Sequence, residues 1–310
     1  MERIIKEELL EQYRISLHNE EKSPLTISKY VRDVRKIMEY ASDFYNIPDD
    51  KTDIKYISNN GLDNQCQEAK KITKELVIAF KNKLYNEDHY KIESVNSIIE
   101  AVNRFFDYMK WYDLKVKTYR VQRESFMQEK RYMSKEEYRR LLAEAKRRGN
   151  KRLYLILETL ASTGMRVSEL AYVTMEAVRT GTIEVNNKGK IRKVLITKKL
   201  QTQLTNYYRE NGIEEGIIFR TRTGKLIDRT NIWKEMKNLC EAAGVEKSKV
   251  YPHSLRKLFA RSLYKIQKDI AIIADILGHS NIETTRRYVR ETSREHRRLL
   301  ERMQLVGGYW

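Results

Sequence analysis

The sequence predicts a mainly α-helical protein with one small β-sheet. Only three prolines and 12 glycines occur in 310 residues, and these two residue types are the common breakers of helices. Apolar side chains recur at helical spacing along most of the chain, whereas a strand-like pattern is confined to the region near Thr182. These observations favour a helical-bundle domain followed by a domain of mixed α+β structure.

The first part of the chain is predicted to form a four-helix bundle that ends near Leu114. From Ser23, the segment SPLTISKYVRDVRKIMEYASDFY has an apolar stripe with basic residues largely on the other face. Helical patterns also cover about 73–85 and 94–112, and the charged opening segment supplies the remaining helix. The polar stretch 49–64 is interpreted as a connection.

The apolar periodicity is lost over 115–131, and residues 117–132 are assigned to an interdomain linker. Helical patterning resumes at a capping box, in which Ser134 is followed three residues later by Glu137. The segments TIEV and RKVLI flank NNKGK and predict a β-hairpin. Further helices are predicted at about 135–148, 153–163, 198–211 and 229–243, and from 254 onward.

The composition indicates a polyanionic partner. A formal net charge of +18 raises the local concentration of polyanions, and nucleic acid is the usual target, although ribosomal proteins and peripheral membrane binders are also basic. No apolar stretch approaches the roughly 18–20 residues of a membrane span, and the charged start MERIIKEELLEQY is unlike a secretory signal. Cys66 and Cys240 form no CxxC pair, which argues against a disulfide framework or a zinc site. We therefore expect a cytoplasmic protein without a membrane partner.

Two cationic positions could hold or protonate a phosphate. Arg166 in ASTGMRVSEL lies where one helix is predicted to end and the next to begin, a place where a guanidinium can grip a phosphate with two hydrogen bonds. The alternative is a surface arginine paired with Glu169. Lys188 lies in the predicted turn NNKGK, from which an ammonium can reach a phosphate or a leaving oxygen. The alternative is a solvated basic turn.

The segment PHSLR places His253 and Arg256 three residues apart, on one face of a helix that follows a proline. Imidazole exchanges a proton near neutrality, and arginine can hold a phosphate oxygen. The alternative is an ordinary histidine near a helix start.

In LGHSNIETTRRYVR, His279 follows a glycine and Tyr288 comes nine residues later. Tyrosine can act as a covalent nucleophile, but a phenol needs a nearby base or dense positive charge because it ordinarily ionises only near pH 10. Most of the 20 tyrosines must serve packing or the surface, and this is the alternative for Tyr288. Taken together, the order Arg, Lys, His-x-x-Arg, Gly-His, Tyr supplies the groups that metal-free phosphoryl transfer requires.

These segments resemble the tyrosine recombinases, or phage-type integrases, and especially their compact Xer-like members. TGMRVSEL resembles the first arginine box, which implies a catalytic Arg166 with Glu169 as its supporting acid. NKGK resembles the hairpin that carries the catalytic lysine. That lysine aligns with Lys188, and Lys190 is the second choice because the hairpin departs from the commoner GKGNK form.

The remaining boxes lie nearer the carboxyl end. PHSLR matches the His-x-x-Arg box and implies catalytic roles for His253 and Arg256. LGHSNIETTRRY matches the closing box and implies that His279 is catalytic and that Tyr288 is the nucleophile. Lys257 stands where many relatives have histidine.

The resemblance implies a domain order. Residues 1–116 would form a helical, SAM-like core-binding domain that binds DNA, and residues 133–292 a mixed α+β tyrosine-recombinase catalytic domain. Residues 293–310 would form a tail that docks on a neighbouring protomer, the alternative being that the tail folds back on its own domain.

The implied activity is site-specific cleavage and rejoining of DNA through a 3′-phosphotyrosyl intermediate, serving integration or excision of a mobile element. No metal or nucleotide cofactor is expected. The expected partners are double-stranded DNA with specific recombination sites and further protomers in a tetrameric synapse on nucleoid DNA. An accessory DNA-bending or directionality factor is a further candidate. Candidate DNA contacts are Lys29, Arg32, Arg104 and Lys190, although a basic helix face is commonly just solvated.

Two other functions fit part of this pattern. A type IB topoisomerase would use similar chemistry to relax one duplex, and the Xer-like arrangement of the boxes argues against it. A sequence-specific DNA-binding protein with a vestigial site is the second alternative, and the intact set of six catalytic positions argues against it.

Overall fold

The computed structural model describes residues 3–45, 71–121, 132–187, 190–221, 223–290 and 293–303. The chain divides into two compact units, Met1–Arg123 and Glu124–Trp310. The connection expected at 49–64 and most of the linker expected at 117–132 lie outside the described residues, so both assignments stay predictions. Among the described residues no helix is both long and apolar enough to cross a bilayer.

The described residues of the first unit are mainly helical, and its long helices pack around one apolar core. The helices are α1 (Glu7–Asn19), α2 (Pro24–Tyr45), α3 (Lys74–Asn86) and α4 (Ile92–Tyr108), followed by a 3₁₀ turn at Tyr112–Leu114. Phe105 of α4 is fully buried, and its ring meets that of Tyr13 edge-on at 5.2 Å between centroids. The side-chain oxygen of Thr73 accepts a hydrogen bond from Leu76 N and so caps α3.

The helix predicted at 94–112 ends earlier than its pattern indicates. Lys110 takes a left-handed conformation with φ 59°, which an α-helix does not tolerate. The backbone of Trp111 then turns back and donates a hydrogen bond to Phe106 O at 2.8 Å. Trp111 is thereby buried in the bundle core, so tertiary packing overrides the local periodicity.

The second unit combines helices with one two-stranded antiparallel sheet among its described residues. Its helices are α5 (Lys135–Arg147), α6 (Lys151–Thr163), α7 (Met175–Thr180), α8 (Lys198–Glu210), α9 (Arg229–Leu239), α10 (Pro252–Ile266), α11 (Ile270–Leu277), α12 (Ile282–Tyr288) and α13 (Ser293–Arg302). Short 3₁₀ helices lie at Val167–Tyr172 and Lys247–Lys249. The strands are β1 (Thr182–Asn187) and β2 (Lys190–Leu195). The predicted fold class, mainly helical with a small sheet and a mixed α+β second domain, is confirmed.

Local signals in the sequence locate several of these elements. Ser134 Oγ accepts a hydrogen bond from Glu137 N, and the Glu137 carboxylate accepts one from Ser134 N, so the predicted capping box is present. The hairpin forms with Val185 opposite Arg192. Helices α6 and α11 each end at a glycine in the left-handed conformation, Gly164 and Gly278. These two helix ends lie at the candidate site.

Candidate active site

Arg166 and Glu169 are joined just after α6 ends. Arg166 caps the 3₁₀ helix Val167–Tyr172, and the Glu169 carboxylate accepts hydrogen bonds from Arg166 N at 2.7 Å and Arg166 Nη1 at 2.8 Å. Glu169 is only 2% exposed. Burial, the largest influence, raises its pKa, but the bonds from Arg166 and the charge of Arg192 outweigh burial and leave the pKa below its ordinary value. Glu169 is therefore an ionised carboxylate that fixes the Arg166 guanidinium.

Arg256 lies on the first turns of α10 and is 1% exposed. Its Nη1 donates to Gly164 O at 2.6 Å, and its Nη2 donates to Leu277 O at 2.6 Å. Nη2 also lies 2.9 Å from His279 Nε2. One guanidinium therefore binds the ends of α6 and α11 and contacts a candidate catalytic histidine.

His279 follows the glycine that ends α11. Because a guanidinium only donates hydrogen bonds, His279 Nε2 must accept from Arg256. In the neutral ring Nδ1 then carries the hydrogen and donates to Thr285 Oγ1, 2.7 Å away. The contacts thus fix both the tautomer and the orientation of the ring.

Tyr288 is the last residue of α12 and is 8% exposed. Its hydroxyl lies 2.7 Å from His253 Nε2. The Tyr288 ring stands nearly perpendicular to the imidazoles of His253 and His279, at centroid distances of 5.4 and 5.3 Å. The predicted nucleophile and base are therefore in direct contact, and the second histidine lies beside them.

Partial burial and the charges of the cluster keep both histidines neutral. Partial burial and then the charges of Lys257, Arg256 and Arg166 lower the pKa of His253 to about 4. Partial burial and then the charges of Arg256 and Arg166 lower the pKa of His279 to about 4. Burial, followed by the charge of Arg166, lowers the pKa of Arg256 to about 10, so that side chain remains cationic at neutral pH. A neutral imidazole able to take a proton thus lies within a strongly positive site.

The sequence model of the phage integrase family matches residues 131–295. The chain belongs to the phage integrase family. The tyrosine recombinase XerA of Pyrococcus furiosus is 29% identical over 71% of this chain and 78% of the relative. XerA of Thermococcus kodakarensis is 29% identical over 96% of both chains. The expected class, a site-specific tyrosine recombinase, is confirmed by these matches.

Solved structures of the family share the fold. XerH, bound to its palindromic difH substrate in a post-cleavage complex, superposes with a TM-score of 0.72 at 19% identity, covering 96% of this chain and 83% of that chain. A DNA-bound dimer of λ integrase residues 75–356 gives a TM-score of 0.66 at 17% identity, with 93% of this chain and 96% of that chain covered. The phage integrase fold therefore extends over both units of the chain.

The resemblance to integrases predicts a catalytic lysine in the hairpin, either Lys188 or Lys190. Lys188 lies outside the described residues. The backbone of Lys190 begins β2 opposite Asn187, and its side chain is not among those described. Both roles stay predictions. Among the described residues no group of three or more His, Cys, Asp or Glu side chains could hold a metal ion, and independence of metal also stays a prediction.

The basic candidates of the bundle are engaged in ion pairs. Lys29 and Arg32 lie 2.9 and 3.1 Å from the carboxylate oxygens of Asp33, which is 1% exposed. Arg104 pairs with Glu20. A phosphate would have to compete with these carboxylates, so DNA contact by the three cations stays a prediction.

Two residues at the integrase site were missed by sequence reasoning. Arg192 binds Glu169 Oε2 at 2.6 Å, and Thr285 binds His279. The signal for Arg192 was present, because strand alternation places it on the same face of β2 as the buried Val194. Thr285 carried no comparable signal, since a threonine in a helix is unremarkable by itself.

Proposed function

We propose that this recombinase cuts and rejoins double-stranded DNA by forming a covalent bond between Tyr288 and a 3′ phosphate. The observation that supports this most directly is the 2.7 Å contact between the Tyr288 hydroxyl and His253 Nε2. The cleavage step requires a phenol to lose its proton while charge develops on a phosphate. A neutral imidazole and the cationic Arg256 lie in the same cluster and suit these two requirements.

In the proposed reaction the Tyr288 oxygen attacks the scissile phosphorus, and the 5′ oxygen of the next nucleotide leaves. His253 takes the phenolic proton, and Lys188 gives a proton to the departing 5′ oxygen. The product is a 3′-phosphotyrosyl ester and a free 5′ hydroxyl. The 5′ hydroxyl of a partner strand then attacks the ester, restores the phenol and joins the new ends. Each step exchanges one phosphate ester for another, so ATP is not required.

Arg166, Arg256 and His279 are proposed to stabilise the negative charge on the phosphoryl oxygens. The present contacts hold the two guanidiniums in place before DNA arrives, which lowers the cost of reorganisation. His279 can donate to a phosphate oxygen only after its Nε2 exchanges the bond from Arg256 for a proton. Because cationic side chains supply this stabilisation, a divalent metal is not required. We extend the proposal to integration or excision of a mobile element at specific sites.

The test is capture of the covalent intermediate. Duplexes bound by the protein are first selected from a randomised library, and the selected duplex is nicked close to the cleavage point so that the cut strand diffuses away. In EDTA, the wild-type protein should form a DNA adduct that survives denaturant, with the nucleotide mass on the Tyr288 peptide. Tyr288→Phe should abolish the adduct. Tyr154→Phe, which removes a hydroxyl bound to Glu158, is the matched control and should retain it.

Two results would contradict the proposal. An adduct that persists in Tyr288→Phe would remove the assigned nucleophile. Specific binding without any adduct would indicate a DNA-binding protein with an inactive site. If the adduct forms but plasmid relaxation occurs without recombinant products, the chemistry holds and the function is that of a type IB topoisomerase.

Assembly on two DNA partners is proposed to use the tail that follows Tyr288. Leu300 on α13 is 65% exposed, and Met303, the residue after this helix, is 55% exposed. This exposure of apolar residues supports docking on another protomer rather than folding back. Truncation after Thr292 should impair synapsis and recombination while DNA binding is retained. Unchanged recombination by the truncated protein would eliminate the idea.

A further inference from the structure

Strand β2 carries an arginine on its inner face. Ile191, Lys193 and Leu195 are exposed, while Val194 on the alternate face is buried. Arg192 shares that alternate face, and its side chain is 15% exposed. A charged group rarely takes an inward position in a strand without partners that compensate for lost hydration.

The partners of Arg192 belong to two different parts of the active site. Its Nη2 donates to Glu169 Oε2 at 2.6 Å, and its Nη1 donates to Ile276 O at 3.1 Å. Its aliphatic stem also packs on Gly278, where an added Cβ would lie 2.5 Å from Arg192 Cδ. Glycine is therefore required at 278 both by the contact and by its φ of 66°.

Each contact fixes a residue that adjoins a proposed catalytic group. Glu169 uses its other oxygen to bind the Arg166 guanidinium. Ile276 and Gly278 flank the carbonyl end of α11, which leads directly into His279. Arg192 itself touches neither Tyr288 nor His253 in the described contacts, so it acts on the site through its neighbours.

We propose that Arg192 is a positioning residue that ties the β1–β2 hairpin to both the Arg166–Glu169 pair and the His279 end of α11. The inference rests on the proposed function for its effect on cleavage. It also explains how a hairpin becomes part of a helical active site. Strand β2 begins at Lys190, two positions after the predicted catalytic Lys188, so Arg192 anchors the strand that follows this lysine in the chain.

The electrostatic balance supports the assignment. One Glu169 carboxylate lies between two guanidiniums, those of Arg166 and Arg192. The trio therefore keeps a net positive charge, whereas Arg166 and Glu169 alone would cancel. Lysine at 192 would preserve the charge but not the fork that binds two separate acceptors.

The first experiment measures cleavage. Single-turnover adduct formation at saturating DNA is compared for Arg192→Gln, Arg192→Lys and the matched control Lys193→Gln. Lys193 is on the outer face of the same strand, with its side chain 70% exposed, so its variant removes the same formal charge. Displacement of catalytic groups by about 1 Å costs on the order of 100-fold in rate. We expect a loss of that order in Arg192→Gln, a smaller loss in Arg192→Lys, little change in DNA affinity, and the wild-type rate in Lys193→Gln.

The second experiment needs no DNA and is independent of the proposed function. The imidazole of His279 is titrated by NMR in the free protein. After partial burial, the charged and titratable groups that lower the His279 pKa are Arg256, Arg166, His253 and Arg192. Arg192→Gln should raise the His279 pKa and disturb its Nδ1–H signal, while Lys193→Gln should change neither.

The outcomes separate the two proposals. If Tyr288 never becomes esterified but the His279 signals respond to Arg192→Gln, the positioning contact stands and the proposed function fails. If folded Arg192→Gln cleaves at the rate of Lys193→Gln, or if His279 titrates unchanged, the positioning role is overturned. Should Arg192→Gln unfold, the cleavage rate and the His279 Nδ1–H signal of Arg192→Lys decide instead, because that variant retains the charge and the aliphatic stem and loses only the fork.

Discussion

The Tyr288 hydroxyl lies 2.7 Å from Nε2 of His253, a residue 35 positions earlier in the chain. This contact joins the end of α12 to the start of α10. A hydrogen bond between a candidate nucleophile and its base is thus already formed in the free protein. Proton removal would require no movement of either side chain toward the other.

The first prediction concerns pH. His253 accepts a proton only when it is neutral, and its pKa is lowered from 6.5 to about 4. The second-order rate of adduct formation should therefore stay level from pH 7 to about pH 5 and fall as the pH approaches 4. Lys257 is the charge that lowers this pKa most after burial. Lys257→Gln should move the fall to higher pH, and an inflection near 6.5 in the wild-type profile would contradict the assignment.

The same two histidines affect stability. Because their pKa values are lower in the folded chain, the unfolded chain binds more protons between about pH 4 and 6.5. Their contribution is fully present above pH 6.5 and is lost as the pH falls toward 4. Urea unfolding at a series of pH values should show this loss, and a double His253→Gln, His279→Gln variant should show a smaller dependence in that window.

The second prediction concerns Thr285, which is fully buried and accepts from His279 Nδ1. Thr285→Val should slow cleavage by about tenfold, since a hydrogen bond contributes roughly 0.5–1.5 kcal/mol and 1.36 kcal/mol corresponds to tenfold in rate. Thr285→Ser keeps the hydroxyl and should retain most activity. Thr284→Val, one position earlier on the same helix, is the control. Equal rates for the two valine variants would show that the bond is irrelevant to cleavage.

The third prediction compares two glycines that both adopt left-handed φ values, 65° at Gly164 and 66° at Gly149. An added Cβ at Gly164 would lie 2.8 Å from Leu277 Cδ2 and closer still to Phe259, whereas nothing lies within 4 Å at Gly149. Gly149→Ala should cost about 1–2 kcal/mol from backbone strain alone. Gly164→Ala should cost roughly a further 1–3 kcal/mol from overpacking. Chemical unfolding measures both, and equal losses would refute the packing argument.

The fourth prediction addresses the basic face of the bundle. The Arg32 side chain is 66% exposed, and Lys29 also pairs with the buried Asp33. Arg32 can therefore move to a phosphate while the Asp33 carboxylate keeps Lys29 as its cationic partner. If Arg32 contacts a phosphate, Arg32→Gln should reduce the slope of log affinity against log salt by about 0.9. Arg14→Gln, which removes an exposed cation paired with Glu11, is the control. An unchanged slope in Arg32→Gln would leave Arg32 as a solvated structural residue.

Local patterns predicted the elements well because the deciding interactions lie close in sequence. The Ser134 capping box and the helix-ending glycines act within one turn of the chain. The end of α4 was misplaced because Trp111 reaches back into the core, which the helical stripe does not encode. The six predicted catalytic positions came from four separate motifs, and five of the positions lie among the described residues.

Contacts between distant segments could not be predicted in the same way. Arg192 meets Glu169 across 23 positions and Ile276 across 84 positions. Only the folded chain brings Arg192 close to these two residues. The alternation of residues along β2 predicted that the Arg192 side chain points inward, but not which groups it meets. The sequence left open that Arg166 is a surface arginine paired with Glu169. The pair does form, but its glutamate side chain is buried, so the pair is itself part of the site.

The two carbonyl groups that accept hydrogen bonds from Arg256 lie at the C-terminal ends of α6 and α11. The backbone dipoles of a helix leave partial negative charge at this end. A backbone carbonyl, unlike a carboxylate, is not protonated when the pH falls. Acidification therefore does not break the hydrogen bonds that fix this guanidinium. A backbone carbonyl also brings no formal anion to compete with an incoming phosphate. The buried arginine is thus anchored by peptide dipoles, and neither of these two carbonyl groups neutralises the ionic charge that it can offer to a ligand.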